Sequence, residues 1–165
     1  MMYIVDSNIL IEAKDRYYGL DFAPGFWEWL VEARHAGRVF SVTAVRDEVE
    51  GRGDELSEWS RSAGRDLYLS PRSTVAGPLT ELARWANRHD RYTASAEREF
   101  LASADYTLVA QACDLGYTVV THETPSPDSR RRIKIPEACA AVGVPCCTPW
   151  QVLRTEGARL VRPAA

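Results

Sequence analysis

Four acids, Asp6, Glu48, Asp105 and Glu123, stand where carboxylates could act together on one substrate. Asp6 ends a short β-branched run, Tyr3-Ile4-Val5, and Asp105 opens an apolar helical stretch. Glu123 follows a second β-branched run ending at Thr121, and Glu48 lies in a helical stretch after a further strand-like run. Open parallel sheets bind ligands outside the carboxyl ends of their strands, so acids placed there can meet. Four carboxylates in one place repel and raise each other's proton affinity, a cost that a divalent cation relieves. An oxygen-only ligand set without histidines favours magnesium or manganese over zinc. Such an ion polarises a phosphoryl oxygen and activates water.

Taken singly, each acid has a plainer reading. Asp6 could be a strand-end cap, and Asp105 a helix N-terminal charge that stabilises by roughly 0.3–1 kcal/mol. Glu48 has Asp47 and Glu50 beside it and could be one solvated charge among several. Glu123 carries little information alone. What raises the case is the order of the four, each attached to a fitting element.

Those elements alternate. Ser7 or Asn8 can cap a helix running on through Ala13. A Tyr- and Gly-rich loop, 15–25, precedes a helix with Phe26, Trp27, Leu30 and Ala33 at helical spacing. Val39–Val42 reads as a strand, followed by a helix with Val45, Glu48 and Val49. Residues 56–63 read as helix, Leu67–Leu69 as a short strand and 71–78 as turn. Leu79, Leu82, Ala83 and Ala86 share a helical face. A helix from Ala104, a Gly116 stop and the buried run 117–121 form the clearest α/β unit. A polar loop from Glu123 to Lys134 leads to a helix begun by Pro136, and 149–153 suggests a last helical turn. Strands apolar on both faces belong in a parallel sheet covered by helices. The fold class is therefore α/β: a single α/β/α domain with a central, mainly parallel sheet over residues 1–154, and a tail at 155–165.

With 165 residues, 45% of them hydrophobic and 26% charged, the chain is long and apolar enough for one globular domain. It can bury roughly 68–70% of its unfolded surface, so no disulfide or zinc staple is required. The net charge of −3 excludes a protein that coats nucleic acid by charge alone but leaves room for a local basic patch. No apolar run reaches the roughly 20 residues of a membrane span. MMYIVDSNILI lacks the basic start of a secretory signal, which points to the cytoplasm. Cys113, Cys139, Cys146 and Cys147 show no metal spacing and read as small buried hydrophobes.

Three stretches resemble PIN-domain nucleases. YIVDSNILIEA is similar to their opening strand and helix, with the first acid in a D-x-N setting. VTAVRDEVEG resembles the helix of the second acid, matching Glu48. ADYTLVAQACDLGYTVVTHE resembles the segment in which an Asp opens a helix and the next strand ends in T-x-acid, here Thr121-His122-Glu123. The resemblance spans residues 3 to about 153. It implies a metal site of Asp6, Glu48, Asp105 and Glu123 holding Mg2+ or Mn2+, and endoribonuclease activity on RNA. Many bacterial relatives are toxins of toxin–antitoxin pairs, so it implies an antitoxin partner and leaves a homodimer open. DSNILIEAKDRYYGLDFAPGFWEWL and RIKIPEAC resemble a PIN-like subgroup. The PIN pattern ordinarily ends in Asp where this chain has Glu123, one methylene longer; Asp128 in the following loop competes for that role.

Around the acids, Asn8 could orient Asp6 or cap a helix, and Thr121 could donate its hydroxyl to a site carboxylate. Strand alternation points His122 away from its neighbours, which disfavours a general-base role. Arg130, Arg131, Arg132 and Lys134 could bind RNA phosphates and offset the acids, or form a solvated loop. Tyr17, Tyr18, Trp27 and Trp29 could stack on unpaired bases, although helical spacing favours core packing for the tryptophans. A haloacid-dehalogenase-type enzyme would want D-x-D where Asp6-Ser7-Asn8 stands, and a nucleotide-binding domain a Gly-rich turn. A non-catalytic binding module, or an RNA-processing nuclease outside any toxin–antitoxin pair, remains as the alternative.

Overall fold

The structure, a computed structural model, describes residues 1–88 and 91–160. In chain order its regular elements are β1 (Tyr3–Val5), α1 (Ser7–Glu12), a π-helical turn (Ala13–Tyr17), α2 (Pro24–His35), β2 (Val39–Val42), α3 (Thr43–Gly51), α4 (Glu55–Arg61), β3 (Tyr68–Leu69), α5 (Ala76–Arg88), α6 (Ala94–Leu101), α7 (Ala104–Leu115), β4 (Thr118–Val120), α8 (Ile135–Ala141), β5 (Cys146–Cys147) and α9 (Pro149–Thr155). The strands form one five-stranded sheet in the order β3-β2-β1-β4-β5, with every pairing parallel.

β1 sits at the centre. Tyr3 is level with Val39 on β2 and with Thr118 on β4, and Val5 with Val120. All residues of β1, β2 and β4 are buried, as a parallel sheet covered by helices on both faces requires. From β1 the chain winds outward through β2 and β3, then returns to the other side for β4 and β5. The boundary between β1 and β4 is thus the switch point where such sheets open a crevice. Ile4, Leu10, Val42, Val45, Leu82, Leu108 and Val119 form the heart of the core. At the end of α7, Gly116 takes φ 69°, a left-handed turn that lets Tyr117 N–H reach the Ala112 carbonyl and sends the chain back into β4. Among the described residues no helix is long and apolar enough to cross a membrane.

Several local expectations are corrected. The cap of α1 is Asp6, not Ser7 or Asn8. The stretch 71–78 is not all turn: α5 starts at Ala76, so Pro78 lies in its first turn, where no hydrogen bond is lost to the missing N–H. α6 is not anticipated from the sequence; it buries only Ala96 and Phe100, too little for a periodic signal. Of the four free cysteines only Cys139 is buried, and Cys146 is exposed on the edge strand β5. α9 runs through Thr155, and Glu156 pairs with Arg38 at 2.6 Å, so the segment assigned to a tail begins anchored; residues 161–165 lie outside the described residues.

Candidate active site

The strand ends at the switch point bring Asp6 and Thr121 side by side. Asp6 leaves β1 in an extended conformation, and its Oδ1 accepts the Ile9 N–H at 2.8 Å, capping α1. Its Oδ2 accepts the Thr121 hydroxyl at 2.6 Å. The residue is wholly buried. Burial pushes its carboxyl from the ordinary 3.8 up to about 7, against the two hydrogen bonds that favour the ion; Asp105 and Glu123 add repulsion in the same upward sense.

Asp105 lies in the first turn of α7, whose cap Ser103 accepts the Tyr106 N–H. Burial lifts Asp105 to about 6, Glu123 and Glu48 add to the lift, and Arg132 opposes it. The fields of all four acids therefore meet at this edge of the sheet. Glu48 itself is exposed on α3. Asp105 and Arg132 line a cleft of about 300 Å³ together with Glu99, Ser103 and Ile133.

Glu123 is held on both oxygens. Oε1 accepts from Arg132 at 2.6 Å, and Oε2 accepts the N–H of Ile135, the first residue of α8, at 2.8 Å. Lys134 offers that helix no side-chain cap, so Glu123 supplies one from 12 residues upstream. Its own N–H donates to Thr121 Oγ1 at 3.1 Å. Among the described residues, no three Asp, Glu, His or Cys side chains stand close enough to hold one ion as they are placed. The donor chemistry nonetheless suits a hard cation: the set is carboxylate oxygens, and two of them carry the raised proton affinity of anions crowded in a buried place. For Glu123 or Glu48 to join Asp6 and Asp105 on one ion, Glu123 would have to part from Arg132 or Glu48 turn in from solvent.

The remaining residues divide. Thr121 supports Asp6 by a direct hydrogen bond. Asn8 is half-buried in α1, and Asp128 is exposed in the loop after β4. Of the basic loop, Arg132 faces the acids through Glu123. The Arg130 carbonyl accepts the Thr93 N–H, Arg131 is exposed, and Lys134 Nζ donates to the Thr124 carbonyl. Arg91, which no sequence signal singled out, donates to the carbonyls of Ser126 and Ser129 and so fixes the loop that carries Arg132. The His122 ring lies 5.8 Å from that of Tyr17 and 5.7 Å from that of Trp150, a grouping that alternation does not indicate. Trp27 is buried, in keeping with core packing, and Trp29 is half-buried against the core.

Residues 3–160 match the model of a family described as a domain of unknown function, DUF4411. No curated protein matches the chain. Among solved structures the chain is similar to FitAcB from Neisseria gonorrhoeae, with 19% identity over 90% of this chain and 99% of that one, at a TM-score of 0.56. It is also similar to FitAB bound to an IR36 DNA fragment, with 17% identity over 90% of this chain and 96% of that one, at a TM-score of 0.53. At such identities the likeness is one of fold.

Proposed function

The chain belongs to the DUF4411 family, and we propose that it is a PIN-like, metal-dependent endoribonuclease that works as the toxin of a toxin–antitoxin pair. The observation that carries this reading is the meeting of Asp6 and Asp105 at the β1–β4 edge, both with proton affinities raised by burial and by neighbouring acids. The three sequence stretches that resemble PIN nucleases place the same residues in the same roles. The partner rests on that resemblance, and the similar fold of FitAB, an assembly seen on DNA, is compatible with it.

A magnesium or manganese ion held by Asp6, Asp105 and either Glu123 or Glu48 would polarise a phosphoryl oxygen and supply an activated water. Asp6 would bind through the lone pairs left free by Ile9 and Thr121, in an orientation those two bonds fix. Thr121 holds Asp6 and also accepts the Glu123 N–H, so one hydroxyl ties the Asp6 carboxylate to the backbone of Glu123. Arg132 is 60% exposed on its loop and within reach of a substrate phosphate, but Glu123 is only 12% exposed, so parting the pair costs more than the about 0.2–1 kcal/mol of a fully exposed one unless the ion takes the cation's place. Arg130, Arg131 and Lys134 would add phosphate contacts that carry no sequence information.

One observation favours a non-catalytic RNA-binding module instead: Glu123 is fully engaged by Arg132 and Ile135. Incubating single-stranded RNA with wild type, Asp6→Asn and Asp105→Asn, with Mn2+ and with EDTA, separates the two. Cleavage by wild type in Mn2+ alone supports the nuclease. RNA that is bound but left whole under every condition supports the module.

A further inference from the structure

We propose that Tyr17, His122 and Trp150 form a stacking platform for one unpaired base of a single-stranded RNA, seated beside the acid site; this rests on the reading of that site as acting on RNA. The three rings close on one another. Tyr17 and Trp150 meet edge to face at 5.2 Å between centroids, while His122 lies 5.8 Å from Tyr17 and 5.7 Å from Trp150. Tyr17 is 42% exposed, whereas His122 and Trp150 are half-buried. A large aromatic ring left 42% exposed against other rings offers water-facing apolar surface on which a further ring can stack.

Each ring hangs from an element that leaves the carboxyl edge of the sheet. His122 follows Thr121, the residue bonded to Asp6. Trp150 lies in the first turn of α9, directly after β5. Tyr17 ends the π-helical turn that continues α1, the helix capped by Asp6. Such turns are rare and are frequently found at functional sites. This one is held firmly: Tyr18 N–H donates to the Ala13 carbonyl at 2.6 Å, Trp27 Nε1 donates to the Tyr18 carbonyl at 2.7 Å, and the Tyr18 ring stacks on Phe26 at 4.5 Å. With Tyr18 turned inward and fixed, the adjacent Tyr17 is turned out. Rigid backbone thus presents an exposed ring at the edge where phosphate would be cleaved.

A base stacks on such a surface whatever its identity, and only if it is unpaired. The platform therefore selects single strands over duplexes rather than one sequence over another. Three rings of which one is exposed are too small an anchor for a protein helix but match one base.

The test measures binding of fluorescein-labelled single-stranded RNA to the full chain carrying Asp6→Asn, which prevents cleavage, by anisotropy. In that background Tyr17→Leu and Trp150→Leu should each weaken binding roughly ten-fold, the scale of one base stack. Tyr17→Phe should retain it. Single strands should quench the share of the fluorescence from the five tryptophans that Trp150→Leu removes, and duplex RNA should bind more weakly and respond to none of the changes. Single-strand binding unmoved by both leucine variants overturns the platform, as does a protein partner that needs Tyr17 while RNA does not. Wild-type cleavage in Mn2+ is read separately. Cleavage with no effect of the variants sinks the platform alone, whereas ring-dependent binding without cleavage sinks the nuclease reading and leaves the platform standing. An Asp6→Asn protein that binds no RNA overturns both.

Discussion

The Thr121 hydroxyl donates to Asp6 Oδ2 at 2.6 Å across 115 positions of chain, joining the ends of β1 and β4. The same oxygen accepts the Glu123 N–H at 3.1 Å. One hydroxyl thus fixes the direction of a buried carboxylate and the backbone that carries its neighbour. Strand register makes this possible: Val5 is level with Val120, so the residues that follow them face each other at the switch point.

Thr121→Val keeps the shape and removes that hydroxyl. The Asp6 carboxylate then loses a bond to its charged form, of the kind that contributes about 1.5–3 kcal/mol. Metal affinity should fall by ten-fold or more while the fold persists. Calorimetric Mn2+ titration of the variant checks this, and unchanged affinity would show that Thr121 does not orient the site.

Stability without metal should depend on pH in a defined direction. Asp6 and Asp105 hold their protons more tightly folded than unfolded, at about 7 and about 6 against an ordinary 3.8. The stability this confers is whole below about pH 4 and is lost as pH rises through 6 and 7. Asp6→Asn escapes its share: the amide carbonyl can keep the Ile9 cap and the NH2 can face Thr121. Its advantage over wild type in EDTA should therefore grow between pH 5 and pH 8, towards an upper bound on the order of 4 kcal/mol. Urea unfolding at both pH values measures it. A variant less stable than wild type at pH 8, or one that still cleaves RNA, contradicts the expectation.

Arg132→Gln removes the cation paired with Glu123 and frees that carboxylate. Mn2+ should bind at least roughly two-fold tighter, because the ion no longer competes with a guanidinium for a carboxylate that is only 12% exposed. RNA should bind more weakly in the same protein. Weaker metal binding would mean that Arg132 supports the ligands rather than competing with the ion.

Arg130→Ala with Arg131→Ala should weaken binding to all RNAs alike. The slope of log affinity against log salt should become shallower by roughly 0.7 for each single-strand phosphate that the variant no longer neutralises. An identical slope would remove both residues from the RNA surface. Loss of antitoxin binding alone would assign them to the partner instead.

The centre of the sheet was legible because β1 and β4 are short β-branched runs apolar on both faces, and because Gly116 stops α7 just before β4. The positions of Asp6, Asp105 and Glu123 follow from those elements. β5 was not legible, since a two-residue strand of cysteines has no period, nor was α6, whose buried face is only two residues wide. The hold of Arg132 and Ile135 on Glu123 depends on how a polar loop folds back, which spacing does not encode. The grouping of His122 with Tyr17 and Trp150 was hidden for a further reason: it depends on a π-helical turn that departs from the helical period and on a helix packed beyond the last strand.

Binding of Mn2+ to the metal-free chain, followed by loss of the free-ion EPR signal, tests most directly whether Asp6 and Asp105 share one ion. Wild type should take up a single tightly held ion at pH 8, with affinity falling as pH drops through 7 and 6, where protons compete for the two carboxylates. Asp6→Asn and Asp105→Asn should each abolish that uptake while remaining folded. A wild-type chain that leaves Mn2+ free at pH 8, or one whose binding survives both substitutions, would contradict the account.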